Sequence, residues 1–360
     1  MVDRLIEDRL GKRARILGGE RAILVGLDDA GGRETLDELR ALSETAGVAV
    51  KGRVIQRRRK PDPSYFIGEG KLEQLQELSE RTAADTIIFN DSLRPAQSRN
   101  LEERLGRKVI DRPQLIMSIF AQHARTKEAQ LQVELAQLEY LLPRLRGWGA
   151  ALTALGGGIG TRGPGETQME RERRRIKRRI QQIRKRLKKA ALERRVKGRR
   201  RQRNELPLVA IIGYTNSGKT TLLNRLSGAE AHVEDKLFAT LDPLVRRTVL
   251  PSGREVLLTD TVGFIKKMPP QLVPAFLSTL EAAKEADLLL NVLDGSHRDL
   301  FQHLQTVNEA LADLFEDEPW PPVINVLNKL DRIDTSEGRE RLEQALNEMR
   351  NAVAVSALKG

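Results

Sequence analysis

Gly213-Tyr214-Thr215-Asn216-Ser217-Gly218-Lys219-Thr220 follows an apolar, strand-like run beginning at Leu208 and opens a helix-like run that starts at Thr221. Glycines at this spacing let the backbone curl until successive N–H groups and a helix N-terminus face one anion. The expected chemistry is phosphate binding, with Lys219 reaching the β- and γ-phosphates and the Thr220 hydroxyl ligating Mg2+.

Further motifs follow in the order a guanine-nucleotide site requires. Asn328-Lys329-Leu330-Asp331 comes after the apolar run Val323 to Leu327. A carboxylate there accepts from both N1–H and the N2 amino group of guanine, whereas adenine offers an acceptor at N1 and nothing at C2, so Asp331 argues for GTP over ATP. Asn328 is expected to tie this loop to the phosphate loop, and the Lys329 stem to cover the base. Asp260-Thr261-Val262-Gly263 closes the strand-like run Glu255 to Thr259. Asp260 suits a Mg2+ held through water, and the Gly263 N–H suits the γ-phosphate, which makes this loop a switch. Phe238-Ala239-Thr240-Leu241-Asp242 stands where a first switch belongs, with Thr240 as a second Mg2+ ligand. Ser356-Ala357-Leu358 follows the short strand Ala352 to Val355 and places N–H groups toward the guanine O6. Lys219, Thr240 and Gly263 are the expected catalytic contributors, and Thr220, Thr240 and Asp260 the metal ligands.

Phe264 follows the Asp260–Gly263 motif. An apolar side chain cannot orient an attacking water, so intrinsic hydrolysis is expected to be slow. Either a partner supplies the missing group or a monovalent cation does. Asn216 stands where potassium-dependent GTPases carry a cation-ligating Asn.

These motifs need elements to hold them. Residues 1–112 alternate strand-like and helix-like runs: Ala22–Leu27, a helix over 35–46, Val48–Gln56, a helix over 71–81, Asp85–Asn90, a helix over 96–105, and Lys108–Ile110. That alternation implies a small α/β domain with a mostly parallel sheet. Gly68-Glu69-Gly70-Lys71 lacks the phosphate-loop spacing and reads as a helix-entry turn. Residues 113–205 are expected to form a long antiparallel helical hairpin. One helix runs over about 114–142, with Leu131, Leu135, Leu138, Leu142 and Leu145 in a narrow seam; a second runs over about 167–200, with Ile176, Ile180, Ile183 and Leu187 in the same rhythm. Residues 206–360 read as a P-loop G domain on a doubly wound, mostly parallel sheet.

The chain has 360 residues, no cysteine, and 62 Lys+Arg against 50 Asp+Glu. Disulfides and thiolate metal sites are thereby excluded. No apolar run spans a bilayer and no signal-peptide segment is visible, so a cytoplasmic location is expected. His123, His232, His297 and His303 show no metal-ligand spacing and read as surface or core residues. Nineteen of the basic residues fall between Arg171 and Arg203, against only Glu172 and Glu193; outside it, 43 basic residues face 48 acidic ones. Solvated helices ordinarily interleave both signs, so one-sign bias of this kind favours a polyanion partner over a bland charged face. No bulky apolar face accompanies the charge, which disfavours lipid. The residues alone give a guanine-nucleotide switch joined to a polyanion-binding hairpin, and leave open a GTP-dependent RNA-remodelling enzyme and a regulatory G protein acting on a protein partner.

Gly156-Gly157-Gly158-Ile159-Gly160-Thr161-Arg162-Gly163-Pro164-Gly165-Glu166-Thr167-Gln168, followed by the basic helix and the phosphate loop, resembles the HflX family of translational GTPases. Tyr65 to Lys71, Phe89-Asn90-Asp91 and Gln130 to Tyr140 are similar to the same family's amino-terminal regions. The resemblance implies a monomeric factor that binds large-subunit rRNA through helix 171–203 and loop 156–165. It further implies GTP-dependent splitting or rescue of stalled ribosomes, often under heat stress, with GTP hydrolysis driving release. Family members usually continue past Ser356–Leu358 into a final helix and a small domain, so the chain is expected to be truncated there.

Overall fold

The computed structural model describes residues 19–28, 32–145, 164–202, 206–228, 237–238, 244–268, 272, 282–316 and 318–360. They divide between two compact units, one of residues 1–122 with 133–186 and the other of 123–132 with 187–360.

In the first unit, β1 (Arg21–Asp28), β2 (Ala49–Arg57), β3 (Thr86–Phe89) and β4 (Lys108–Asp111) form a parallel sheet in the order β2-β1-β3-β4. A strand covered on both faces needs an unbroken apolar run, and Ala22 to Val25 are all buried. Helix α1 (Gly32–Thr45) buries Leu36, Leu39 and Leu42, a three-residue period that puts them on one face. Helices α2 (Glu69–Arg81) and α3 (Pro95–Leu105) contribute Leu72, Leu75, Leu101 and Leu105 to a core with Ile23, Val25, Ile87 and Phe89. Gly68 is the N-cap of α2, in the place read as a helix-entry turn.

The continuous helix expected over 114–142 is two helices, α4 (Arg112–His123) and α5 (Lys127–Arg144). The chain restarts at Thr126, whose hydroxyl accepts from the Ala129 N–H at 3.2 Å in the manner of an N-cap. The two pieces also differ in character: Leu115, Ile116, Met117, Ile119 and Phe120 of α4 are all buried, so it is core material on nearly every side. The far end of α5 is fastened at Asp111, which accepts from Tyr140 Oη at 2.6 Å, Arg144 at 3.3 Å and the Leu93 N–H at 3.0 Å. Burial pushes the Asp111 carboxyl above its usual range in spite of Arg144, and the Tyr140 phenol is pushed well above its own by burial and by the Asp111 charge.

Helix α6 (Pro164–Gln202) buries Ile176, Ile180 and Ile183 and joins α5 through Arg179 with Glu134 (2.6 and 2.7 Å) and Arg184 with Glu139 (2.8 Å). Arg171, Arg175, Lys177, Arg178, Lys185 and Lys189 are exposed on it. The glycine loop 156–165 lies outside the described residues apart from Pro164 and Gly165 of α6.

In the second unit, six strands stand in the order β10-β9-β8-β5-β7-β6: β5 (Leu208–Gly213), β6 (Leu244–Val249), β7 (Glu255–Asp260), β8 (Leu288–Asp294), β9 (Val323–Asn328) and β10 (Ala352–Ala354). All pairings are parallel except β6 with β7. Helices α7 (Lys219–Ser227), α8 (Leu300–Phe315) and α9 (Ser336–Glu348) follow β5, β8 and β9. Because β5 has later strands on both sides, the order reverses around it, and a crevice at the strands' carboxyl ends follows from that topology. Four neighbouring strands end there on Gly213, Asp260, Asp294 and Asn328.

Candidate nucleotide-binding site

The loop between β5 and α7 is held in a shape only certain residues tolerate. Gly213 has φ +143°, and a Cβ there would lie 2.1 Å from the Val292 carbonyl oxygen; Gly218 has φ +91°, and its Cβ would meet Asn328 Nδ2 at 2.3 Å. Asn216, at φ +57°, is the exposed turn residue between them. Thr215 Oγ1 and Ser217 Oγ are buried with no hydrogen-bond partner. Two orphaned hydroxyls beside the N-terminus of α7 suit an anion that accepts from them. Lys219 Nζ is buried and donates to the carbonyls of Tyr214 (2.7 Å) and Gly213 (3.3 Å). Burial pushes its ammonium down to about 8, with Lys329 adding and Asp260 opposing.

Thr220 Oγ1 donates to Asp260 Oδ2 at 2.6 Å, bringing a hydroxyl from the first turn of α7 to a carboxylate at the end of β7. Two hard oxygen donors so placed fit Mg2+. Next along the chain, Gly263 is wedged under the loop: its Cβ would come within 2.7 Å of Thr215 Cα and 2.8 Å of Lys219 Nζ. Phe264 is buried and its backbone zips to the phosphate loop, accepting from Thr215 N–H at 2.8 Å and donating to the Gly213 carbonyl at 3.0 Å. Thr261 is bonded to the Ile211 carbonyl at 2.8 Å through its hydroxyl, and Val262 is in the core. Of the first-switch residues, Phe238 is buried with φ +60°, while Ala239, Thr240, Leu241 and Asp242 lie outside the described residues.

Asn328 uses both ends of its amide. Nδ2 donates to the Ser217 carbonyl at 3.0 Å and Oδ1 accepts from the Ala357 N–H at 2.9 Å. Lys329, at φ +66°, donates to the Asn216 carbonyl at 2.6 Å. Leu330 begins a short 3-10 turn, and its N–H reaches the Val355 carbonyl at 3.3 Å. The half-buried Asp331 carboxylate accepts from Ser356 Oγ at 2.5 Å, and that bond holds it below the usual carboxylate range. Leu358 is the most exposed large apolar side chain among the described residues.

Two contributors were missed in the spacing of the motifs. Asp294 ends β8 and pairs with Lys329; an Asp closing an apolar strand beside the phosphate loop was the available signal. His303, on α8, stacks on Tyr214 with centroids 3.8 Å apart and planes 9° apart. Burial pushes its imidazole down to about 3, with His297 and Lys266 adding. No sequence spacing announces that contact, since 89 positions separate the two rings along the chain.

Family models match in three consecutive stretches: GTP-binding GTPase N-terminal over residues 33–121, GTP-binding GTPase Middle Region over 123–203, and 50S ribosome-binding GTPase over 208–329. The GTPase HflX of Caldanaerobacter subterraneus subsp. tengcongensis is 53% identical over 316 residues, covering 88% of this chain and 73% of that one. The GTPase HflX of Escherichia coli K12 is 42% identical over 345 residues, covering 95% and 80%. A GTP-binding protein from the archaeon Sulfolobus solfataricus, solved in complex with GDP, is 29% identical with a TM-score of 0.50, covering 94% of each chain. Among the described residues no helix is long and apolar enough to cross a membrane. The chain belongs to the HflX family and is a GTPase.

Proposed function

We propose that this GTPase binds the large ribosomal subunit in the cytoplasm, as a monomer, and splits or rescues stalled ribosomes, including those stalled by heat. The observation that carries the reading is α6: a 39-residue helix with basic side chains exposed from Arg171 to Lys189, joined in sequence to a guanine-nucleotide site. The one-sign charge suits rRNA phosphates, and loop 156–165 precedes it in the chain. The family description as a 50S ribosome-binding GTPase agrees.

The domain division proposed is 1–112, 113–205 and 206–360. In the last of these, the residues from Gly213 to Thr221 hold the phosphates, Asn328 to Asp331 and Ser356 to Leu358 hold guanine, and Phe238 to Asp242 and Asp260 to Gly263 act as switches. Mg2+, held by Thr220, Thr240 and Asp260, would neutralise charge between the β- and γ-phosphates. Phe264 is buried and engaged through its backbone, so the group that orients water comes from outside, either from the ribosome or from K+ beside Asn216. Equal GTPase rates in matched potassium and sodium buffers would remove the potassium reading.

The deciding experiment is cosedimentation with each ribosomal subunit under a GTP analogue and under GDP, comparing the chain with a deletion of 156–165. Large-subunit binding that needs the triphosphate and weakens with the deletion and with salt is expected. Binding indifferent to all three overturns the proposal.

A further inference from the structure

His297, Asp299 and His303 each place one potential ligand atom so that all three lie within 4.8 Å of one another. The local fold builds this cluster. After β8, the Ser296 hydroxyl turns back onto Asp294 at 2.6 Å, and the chain enters α8 with Asp299 as its N-cap residue. An Asp at that position ordinarily accepts from the first-turn N–H groups, yet the Asp299 side chain makes no capping bond. Its carboxylate lies instead 3.9 Å from His297 Nδ1. One turn into α8, the His303 ring sits 4.5 Å from that of His297, and its face is fixed by the stack on Tyr214.

Two imidazoles and a carboxylate are the donors of three-ligand zinc sites that keep a fourth position open. Hard cations such as Mg2+ prefer all-oxygen sets and are poorly served here. We propose that His297, Asp299 and His303 form a binding site for a zinc-like divalent transition metal, set against the aromatic residue of the phosphate loop. Metal capture draws the three groups closer than they now stand and exchanges one existing bond, that from the Asp299 N–H to His297 Nδ1 at 3.0 Å. The turn of the carboxylate to the ion also replaces its ion pair with the exposed Arg298, whose Nε lies 3.9 Å from Asp299 Oδ2. Competition elsewhere is sparse, because the chain has no cysteine and only four histidines, two of which are in this cluster.

The test uses the full chain, stripped with chelator and free of nucleotide, titrated with Co2+ while its visible ligand-field absorption is followed, then back-titrated with Zn2+. One ion per chain is expected, with Zn2+ displacing Co2+. His297→Gln and Asp299→Asn should each weaken binding by about tenfold or more, since even outer-shell changes at metal sites cost that much. Both positions lie away from the nucleotide contacts, so GDP affinity in the metal-free variants should match the parent and certify their fold. Absence of a saturable spectrum overturns the proposal, as does a spectrum that survives both substitutions, which would place the ion at other histidines.

Discussion

Lys329 and Asp294 form a 2.9 Å ion pair in which each side chain is only 13% exposed, linking the ends of β8 and β9 at the edge of the nucleotide site. Removing one partner leaves the other charge mostly buried and uncompensated. Lys329→Met is therefore expected to destabilise the second unit by about 2 kcal/mol, less than for a fully buried pair. Adding Asp294→Asn should restore part of that loss. Denaturant unfolding of the single and double variants checks it, and an additive double variant would show the pair to be uncoupled.

The burial of Lys219 has a consequence for pH. Its ammonium titrates near 8 in the free chain, and a bound triphosphate raises that value by favouring the charged form. Binding above pH 8 then takes up a proton, so affinity should be flat below 8 and fall by up to about tenfold per pH unit above it. In stability terms the sign is opposite for the empty chain: the folded state holds fewer protons between 8 and the ordinary lysine value, so this lysine's burial cost shrinks as pH rises through that window. Calorimetric titrations of GDP and GTP in buffers of different ionisation enthalpy would measure the uptake.

Asp331 is held ionised by Ser356. In the guanine-holding role proposed for it, a carboxylate with a depressed value would support binding down to unusually low pH and lose it as pH falls through that value. Ser356→Ala should leave affinity at pH 7 nearly unchanged and move the acid limb of the binding profile to higher pH. Fluorescent-nucleotide titrations from pH 7 downward provide the comparison; coincident profiles would show that the hydroxyl has no such part.

Gly263 leaves no space for a side chain between Thr215 and Lys219. A methyl group there must push Lys219 Nζ off its place or shift the Thr215 backbone. Gly263→Ala is expected to lower the GTP turnover number by about 100-fold, the scale of losing one positioned donor. Single-turnover hydrolysis with nucleotide affinity measured in parallel separates this from a failure to bind.

Much of the architecture could be read from the chain because it rests on local periodicity. The strands from β1 to β4 lie within two residues of the strand-like runs that announced them, and β1, β3 and β4 are buried, a state written as a near-continuous apolar run. The break at Ala124–Thr126 carries no such periodic signal. Residues 121–128 hold no large apolar side chain and no Gly or Pro to mark a stop, and only a threonine hydroxyl turned to the Ala129 N–H reveals the restart. At the nucleotide site, residue types and order pointed to the same segments that the sheet brings together at its carboxyl edge. What spacing could not convey were pairings made through space, Tyr214 on His303 and Lys329 on Asp294, because each joins elements whose neighbourhood is set by strand order alone.

Asn328 spans three segments at once, reaching 111 residues back to Ser217 and 29 forward to Ala357. Contacts of such separation close late, since long loops must be ordered before they are rewarded. While the polypeptide is being made, β5 and the phosphate loop emerge well before the residue that clamps them. The newborn chain therefore passes through a stage in which the loop exists without its clamp, and its capacity to act as a clock arrives only when the stretch around Ala357 has left the machine that synthesises it.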